Sequence, residues 1–171
     1  MPEPREDLAE LLRRREQTED AARSERVARR HEAGGRTARE NVEDLIDPGS
    51  WVEYGRLAMA AQRQRREHDD LAVNTAADGL VAGTARIGGR PCAVLAYDYT
   101  VLAGTQGVIG HDKKDRLFEL IERTKLPVVF FAEGGGGRPG DTDFPFVSWL
   151  QARAFALWAG LSGKVPRIAI V

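Results

Sequence analysis

At 171 residues the chain is long enough to bury one core, and 42% hydrophobic against 30% charged residues excludes a disordered or fibrous protein. Its 25 basic and 26 acidic residues leave a net charge of −1, which excludes a partner held by bulk charge, nucleic acid above all. No secretory leader pattern is visible, no apolar run approaches the roughly 20 residues of a membrane span, and the single cysteine, Cys92, cannot close an intrachain disulfide; the expectation is a reducing, cytoplasmic setting and a buried structural thiol.

The first forty residues alternate ten arginines with ten acidic residues. Glu10 and Arg14, Glu19 and Arg23, and Glu25 and Arg29 are i,i+4 pairs in the favourable order, while Leu8, Leu11 and Leu12 give only a narrow apolar stripe. The pattern predicts a solvated helix that packs loosely or docks on a neighbouring subunit. Gly34 and Gly35 end it. Thr37 with Glu40 then makes a capping box for a short helix carrying Val42, Leu45 and Ile46 on one face, and Asp47-Pro48-Gly49 stops it. Residues 62–70 are polar and charged and predict a mobile loop, with Arg63, Arg65 and Arg66 solvated or, less simply, screening a phosphate-bearing ligand.

From Asp78 the texture turns to strands. Residues 79–87 and 92–97 flank Gly88-Gly89, a two-glycine hairpin turn. A helical stretch reaches about Thr124, with Leu117, Phe118, Leu120 and Ile121 facing inward, and Pro127 leads into an apolar strand at 128–132. A helix is expected at 144–161 and a last apolar strand at 168–171. Hairpin, then strand–helix–strand–helix–strand, predicts an α/β layered fold.

The strand at 128–132 stops at four consecutive glycines, Gly134 to Gly137, with Arg138 behind them. Amides at such a strand-to-helix turn are free of side chains and point at whatever lies beyond the sheet edge, as an anion cradle requires. Residues 102–105 form a second turn of this kind; on neighbouring strands the two would lie at one end of the sheet, and their amides could converge on one oxygen to hold an enolate or tetrahedral anion. None of His31, His68 and His111 stands in a catalytic pairing, and His111 reads as a packing or capping residue. No Cys/His cluster has metal-ligand spacing. Gly104, Gly107 and Gly110 follow a strand, but their spacing misses the dinucleotide fingerprint, and no Gly-Lys-Ser/Thr follows Gly137.

Four ordered motifs resemble the carboxyltransferase (beta) component of biotin-dependent acyl-CoA carboxylases, which is built on the crotonase-like fold. Thr37-Ala38-Arg39-Glu40 with Leu45-Ile46-Asp47-Pro48-Gly49-Ser50-Trp51-Val52-Glu53 resembles that family's TARER…LLDPGSFVE opening. Asp78-Gly79-Leu80-Val81-Ala82-Gly83 through Ile87-Gly88-Gly89-Arg90-Pro91 resembles its DGVVTG…INGRP hairpin. Tyr99-Thr100-Val101-Leu102-Ala103-Gly104-Thr105 resembles FTVFGGS, and the glycine run with Arg138 resembles SGGAR, aligning Gly135 and Gly136 with its paired glycines. Ala103 stands for a glycine, Gly137 for the alanine before the arginine, and Gly140-Asp141-Thr142-Asp143 for the usual continuation; these departures resemble a subclass in which the carboxyltransferase is part of one long multidomain carboxylase.

The resemblance implies transfer of a carboxyl group from carboxybiotin to the alpha carbon of an acyl-CoA, with biotin itself taking the proton. It implies oxyanion donors at Gly135, Gly136, Ala103 and Gly104, and substrate contacts at Gly134, Gly137, Arg138 and Thr105, with no metal. Partners would be acyl-CoA, biotin carboxyl carrier and biotin carboxylase components, and further copies of the chain. Residues 1–36 are expected as a charged helical extension and 37–171 as the N-terminal part of the first of two crotonase-like domains, incomplete and therefore inactive alone. Two other readings are open: a crotonase-type hydratase, isomerase or thioesterase using Glu133, Asp141 or Asp143, and a noncatalytic assembly fragment.

Overall fold

Gly88 and Gly89 take φ of +57° and +78°, left-handed values that glycine adopts without strain. They join β2 (Leu80–Ile87) to β3 (Arg90–Tyr97), paired antiparallel from Leu80 opposite Tyr97 to Ile87 opposite Arg90. The computed structural model describes residues 5–144 and 153–171. In it this hairpin lies within a five-stranded sheet. Short β1 (Val52–Glu53) lies antiparallel to β2, while β4 (Val128–Phe131) and β5 (Arg167–Ile170) continue beyond β3 in parallel.

Strand side chains alternate between two apolar layers. Leu80, Ala82, Ala93, Leu95, Val128 and Phe130 pack under Leu117, Phe118 and Ile121 of α5 (Val108–Thr124), with Leu157 and Trp158 of α6 (Arg153–Gly160) alongside. Val81, Val94 and Ala96 face the other way, against Ala38 and Val42 of α3 (Ala38–Leu45). Each fully buried large side chain contributes about 1.5–3 kcal/mol, so α5 is the main clamp on the sheet. The result is the expected α/β layering, with Cys92 buried in β3 and its thiol pushed up by burial.

The N-terminal stretch departs from the expected single, loosely packed helix. It is α1 (Glu6–Glu16), a 3-10 turn (Asp20–Arg23) and α2 (Ser24–Glu32). Of the expected pairs, Glu10 does meet Arg14, at 2.6 Å, and also Arg13, at 2.8 Å. Glu19 instead turns to Arg39 and Arg56. Arg23, with its side chain 1% exposed, pairs with Asp20 at 3.1 Å and with the buried Asp98 at 2.9 Å. A surface helix pair contributes about 0.3–0.5 kcal/mol, whereas a buried guanidinium without its carboxylate is severely penalised. The tertiary pairing therefore decides where the helix breaks, and the extension is fastened to the core.

Residues 62–70, expected as a charged loop, leave Arg63 and Arg65 exposed and also contact the rest of the chain. Gln62 is buried and donates to Asp141 at 3.2 Å, Arg63 pairs with Asp143 at 3.0 Å, and Arg66 pairs with Asp70 at 2.5 Å. Asp70 lies in α4 (His68–Asn74), an element too short to show a helical period. Of the helix expected at 144–161, residues 145–152 lie outside the described residues and 153–160 are helical. Among the described residues no helix is long and apolar enough to cross a membrane.

Candidate active site

Because β3 and β4 are parallel neighbours, the turns that follow them meet at one end of the sheet, as the sequence predicts. After β3 the chain enters a 3-10 turn, Leu102–Gly104, in which Leu102, Ala103 and Gly104 take φ of +48°, +55° and +67°. Left-handed backbone costs a non-glycine residue roughly 1–2 kcal/mol, so two of the three positions store strain. The glycine run after β4 zips against this turn: the Gly135 N–H donates to the Gly104 carbonyl at 2.9 Å, Gln106 N–H to Gly136 O at 2.8 Å, and Arg138 N–H to Gln106 O at 2.9 Å.

This zipper sorts the candidate donors. Gly135 is committed to Gly104, whose own N–H goes to Val101 O at 3.0 Å, and the Thr105 N–H goes to Leu102 O at 3.2 Å. Three of the amides named from sequence therefore hold the turns together. The N–H groups of Ala103, Gly134, Gly136 and Gly137 have no acceptor among the described residues. Added side chains separate the two central glycines further. A Cβ at Gly135 would overlap the Ala103 carbonyl, whereas one at Gly136, with φ +80°, would meet nothing within 4 Å. Gly136 borders open space, and Gly135 borders its neighbour.

Arg138 is placed differently from its expected substrate contact. Its side chain is 4% exposed and bonded to Asp78 of the hairpin motif, to Asp141 at 3.5 Å, and to Thr105, through Oγ1 at 3.2 Å and the carbonyl at 2.6 Å. Asp78 also accepts the Gly110 N–H at 2.6 Å, and Asp141 accepts the Val108 N–H at 2.8 Å, at the start of α5. Burial pushes the Asp78 carboxyl up, against the pull of the Arg138 guanidinium. The arginine of one motif and the aspartate of another thus form a buried strut behind both turns. A side chain at Gly107 would overlap the Arg138 guanidinium and crowd Asp141 and Asp78, so it would have to displace the strut.

The carboxylates that a crotonase-type hydratase would need are occupied. Glu133 pairs with Arg30, Asp141 with Arg138, and Asp143 with Arg63. Burial, then the charges of Lys114 and Arg138, pull His111 down to about 4, leaving it neutral at pH 7 and a weak base. No group of three or more His, Cys, Asp or Glu among the described residues could hold a metal.

Sequence reasoning missed a basic pocket beside the turns. Arg26, Arg29 and Arg30 of α2 line a cavity of about 410 Å³ with Tyr99, Thr100 and Leu102, and the Arg30 guanidinium lies 5.0 Å from the Tyr99 ring centroid. The Arg30–Glu133 pair joins this wall to the residue preceding the glycine run. The signal was present as arginines at i, i+3 and i+4, hidden by acids that balance the charge locally.

Comparison with known proteins gives a family model, the carboxyl transferase domain, matching residues 29–171. The biotin-dependent long chain acyl-coenzyme A carboxylase beta4 subunit of Mycobacterium tuberculosis is 34% identical over 168 residues, covering 97% of this chain and 30% of that protein. The methylmalonyl-CoA carboxyltransferase 12S subunit of Propionibacterium freudenreichii subsp. shermanii is 33% identical, with 96% and 30% covered. A single-chain, multi-domain long-chain acyl-CoA carboxylase superposes with a TM-score of 0.89 at 54% identity, over 98% of this chain and 17% of the larger one. The transcarboxylase 12S structure, a hexamer with hydrolysed methylmalonyl-CoA bound, superposes at 0.74 and 28% identity over 96% of this chain and 31% of that one. These neighbours have the crotonase-like fold. The chain spans about 30% of the length of its curated relatives.

Proposed function

This chain belongs to the carboxyl transferase domain family, and we propose that it supplies the acyl-CoA side of a site where a carboxyl group passes from carboxybiotin to the alpha carbon of an acyl-CoA. The observation that carries the reading is a pair of neighbouring turns with uncommitted amides, Ala103 on one and Gly136 on the other. Removing the proton beside the thioester leaves an enolate with its charge on the thioester oxygen. Amides already aimed at that oxygen stabilise the charge without reorganising when it appears. Gly134 and Gly137 line the approach, while Gly104, Thr105, Gly135 and Arg138 hold the donors in place.

Carboxybiotin, delivered on its carrier, would give up its carboxyl group as CO2 by breaking its N–C bond, and the biotin ureido nitrogen left behind would take the alpha proton while the enolate carbon attacks the CO2, so no side chain of this chain serves as base. The commitment of Glu133, Asp141 and Asp143 to arginines, and the weak basicity of His111, support that division of labour over a hydratase. Arg29, with Arg26 and Arg30 beside it, fits the phosphate end of the substrate, because guanidinium groups bind phosphates.

Residues 1–36 act as the extension carrying that pocket, and 37–171 as part of the crotonase-like domain. Turnover belongs to the cytoplasmic assembly with biotin carrier and biotin carboxylase components, and the isolated chain binds the thioester without carboxylating it. Ile168 and Ile170 stand 56% and 41% exposed on the edge strand β5, which supports burial against further chain, a second copy included.

The test is Gly136→Val in the assembled carboxylase. Valine keeps the N–H but forces a branched side chain onto φ +80° and into the open space the thioester would fill, so turnover should fall about 10²-fold or more, the scale for losing one oxyanion donor. Near-normal turnover by a folded variant contradicts the assignment.

A further inference from the structure

Lys114 is buried, 5% exposed, yet no carboxylate among the described residues pairs with it. Its ammonium donates instead to the Tyr97 hydroxyl at 2.8 Å and to Gln106 Oε1 at 2.7 Å. Burying an ammonium against neutral oxygens alone is costly, and a salt bridge or an apolar residue would be more stable there. The two partners explain the placement. Gln106 is the residue whose backbone zips the turns, accepting from Arg138 N–H and donating to Gly136 O. Tyr97 lies under the other end of the glycine run, where a Cβ on Gly134 would come 3.1 Å from its ring.

We propose that Lys114 is a positioning residue for the anion site: its ammonium clamps Gln106 and Tyr97, fixing the undersides of both turns and placing a full positive charge behind the amides that face the enolate. The proposal rests on the reading of Ala103 and Gly136 as that site. It differs from the Arg138 strut, whose charge is cancelled by Asp78 and Asp141. Lys113, the next buried lysine, points away, to the carbonyls of Ala77 and Leu80.

The titratable groups around Lys114 are the Tyr97 hydroxyl from β3, which burial keeps neutral, and Asp115 and His111 on its own helix. Burial lowers Lys114 to about 8, and it lowers Lys113 to about 8 as well. Loss of the clamp should therefore appear as an alkaline limb near pH 8 in kcat. The pH dependence of stability has the opposite sign, because deprotonation relieves the cost of the buried charge as pH rises from 8 toward the unfolded value.

The experiment measures kcat, KM for acyl-CoA and the pH profile in the assembled carboxylase for Lys114→Met, Lys114→Arg and Tyr97→Phe. Lys114→Met should lower kcat by about 10-fold or more with KM within about twofold, since the arginine pocket is untouched; misplacing a reacting group by an ångström costs up to about 10²-fold. Lys114→Arg should move the alkaline limb upward. Tyr97→Phe keeps the ring under Gly134 and loses one leg of the clamp, so it should lower kcat several-fold even if Lys114→Met fails to fold. An unchanged limb in Lys114→Arg assigns it to another group such as Lys113 and overturns the proposal, as does a loss confined to KM, or wild-type kcat in Tyr97→Phe. If Gly136→Val retains turnover while Lys114→Met loses it, the site itself is misplaced, and that failure is distinguishable from a failure of the clamp.

Discussion

At the scale of single residues, adjacent glycines separate structure from chemistry. Four glycines and an arginine in a row announce a turn at which something binds, but sequence gives no means of telling which amides are spent internally. The Gly135 N–H is consumed by Gly104, whereas the Gly136 N–H beside it has no acceptor among the described residues. Arg138 was legible as important and not as buried, because its partners Asp78 and Asp141 come from separate segments of the chain. Arg138→Met should cost about 3–5 kcal/mol in denaturant unfolding, since it leaves two buried carboxylates without their cation. The deficit should shrink as pH falls and the Asp78 carboxyl, which burial pushes up, protonates; a deficit below 1 kcal/mol at neutral pH contradicts the strut. His111 gives a second pH signature. Its folded value, about 4, lies below the ordinary imidazole value, so the unfolded chain binds the extra proton first, and stability should fall as pH drops from 6.5 to 4. His111→Leu should flatten that part of the stability profile, and an identical slope in both proteins would show that another group carries it.

Among the elements, those with strong local chemistry were readable and those made by tertiary pairing were not. The capping box forms as expected: Thr37 Oγ1 accepts from Glu40 N–H at 3.1 Å, and Glu40 Oε2 accepts from Thr37 N–H at 2.8 Å. The same hydroxyl donates to Asp20 at 2.5 Å, joining the cap to the N-terminal extension. Thr37→Ala should therefore cost about 2 kcal/mol, the upper end for a cap, with Thr37→Ser recovering most of it in thermal or denaturant unfolding. A loss under 0.5 kcal/mol would mean that the cap does not hold α3 in place. The hairpin and α5 were equally legible, from paired glycines and a 3.6-residue apolar period. The break between α1 and α2 was not, because its cause is Asp98, 75 positions from Arg23. Nor were the contacts that Gln62 and Arg63 make with Asp141 and Asp143 from beyond β4.

For the whole molecule, sequence was enough to reach the layered α/β fold and the meeting of the two turns, since parallel neighbours put successive strand ends on one side. It did not reach the arginine pocket, which exists only because α2 is pinned across the Tyr99 turn by Arg23 and Arg30. The extension thus lies against the turns, and the proposed phosphate and enolate sites share the wall that the Arg30–Glu133 pair joins. The central claim, that uncommitted amides of Ala103 and Gly136 face the thioester oxygen of an acyl-CoA, is tested most directly by titrating the ¹⁵N-labelled 171-residue chain with propionyl-CoA and following its amide resonances. Saturable shifts of Ala103 and Gly136, with smaller ones at Gly134 and Gly137 and none at the internally bonded Gly135 beyond its neighbours' influence, are expected. Saturation that leaves both Ala103 and Gly136 unmoved would contradict it.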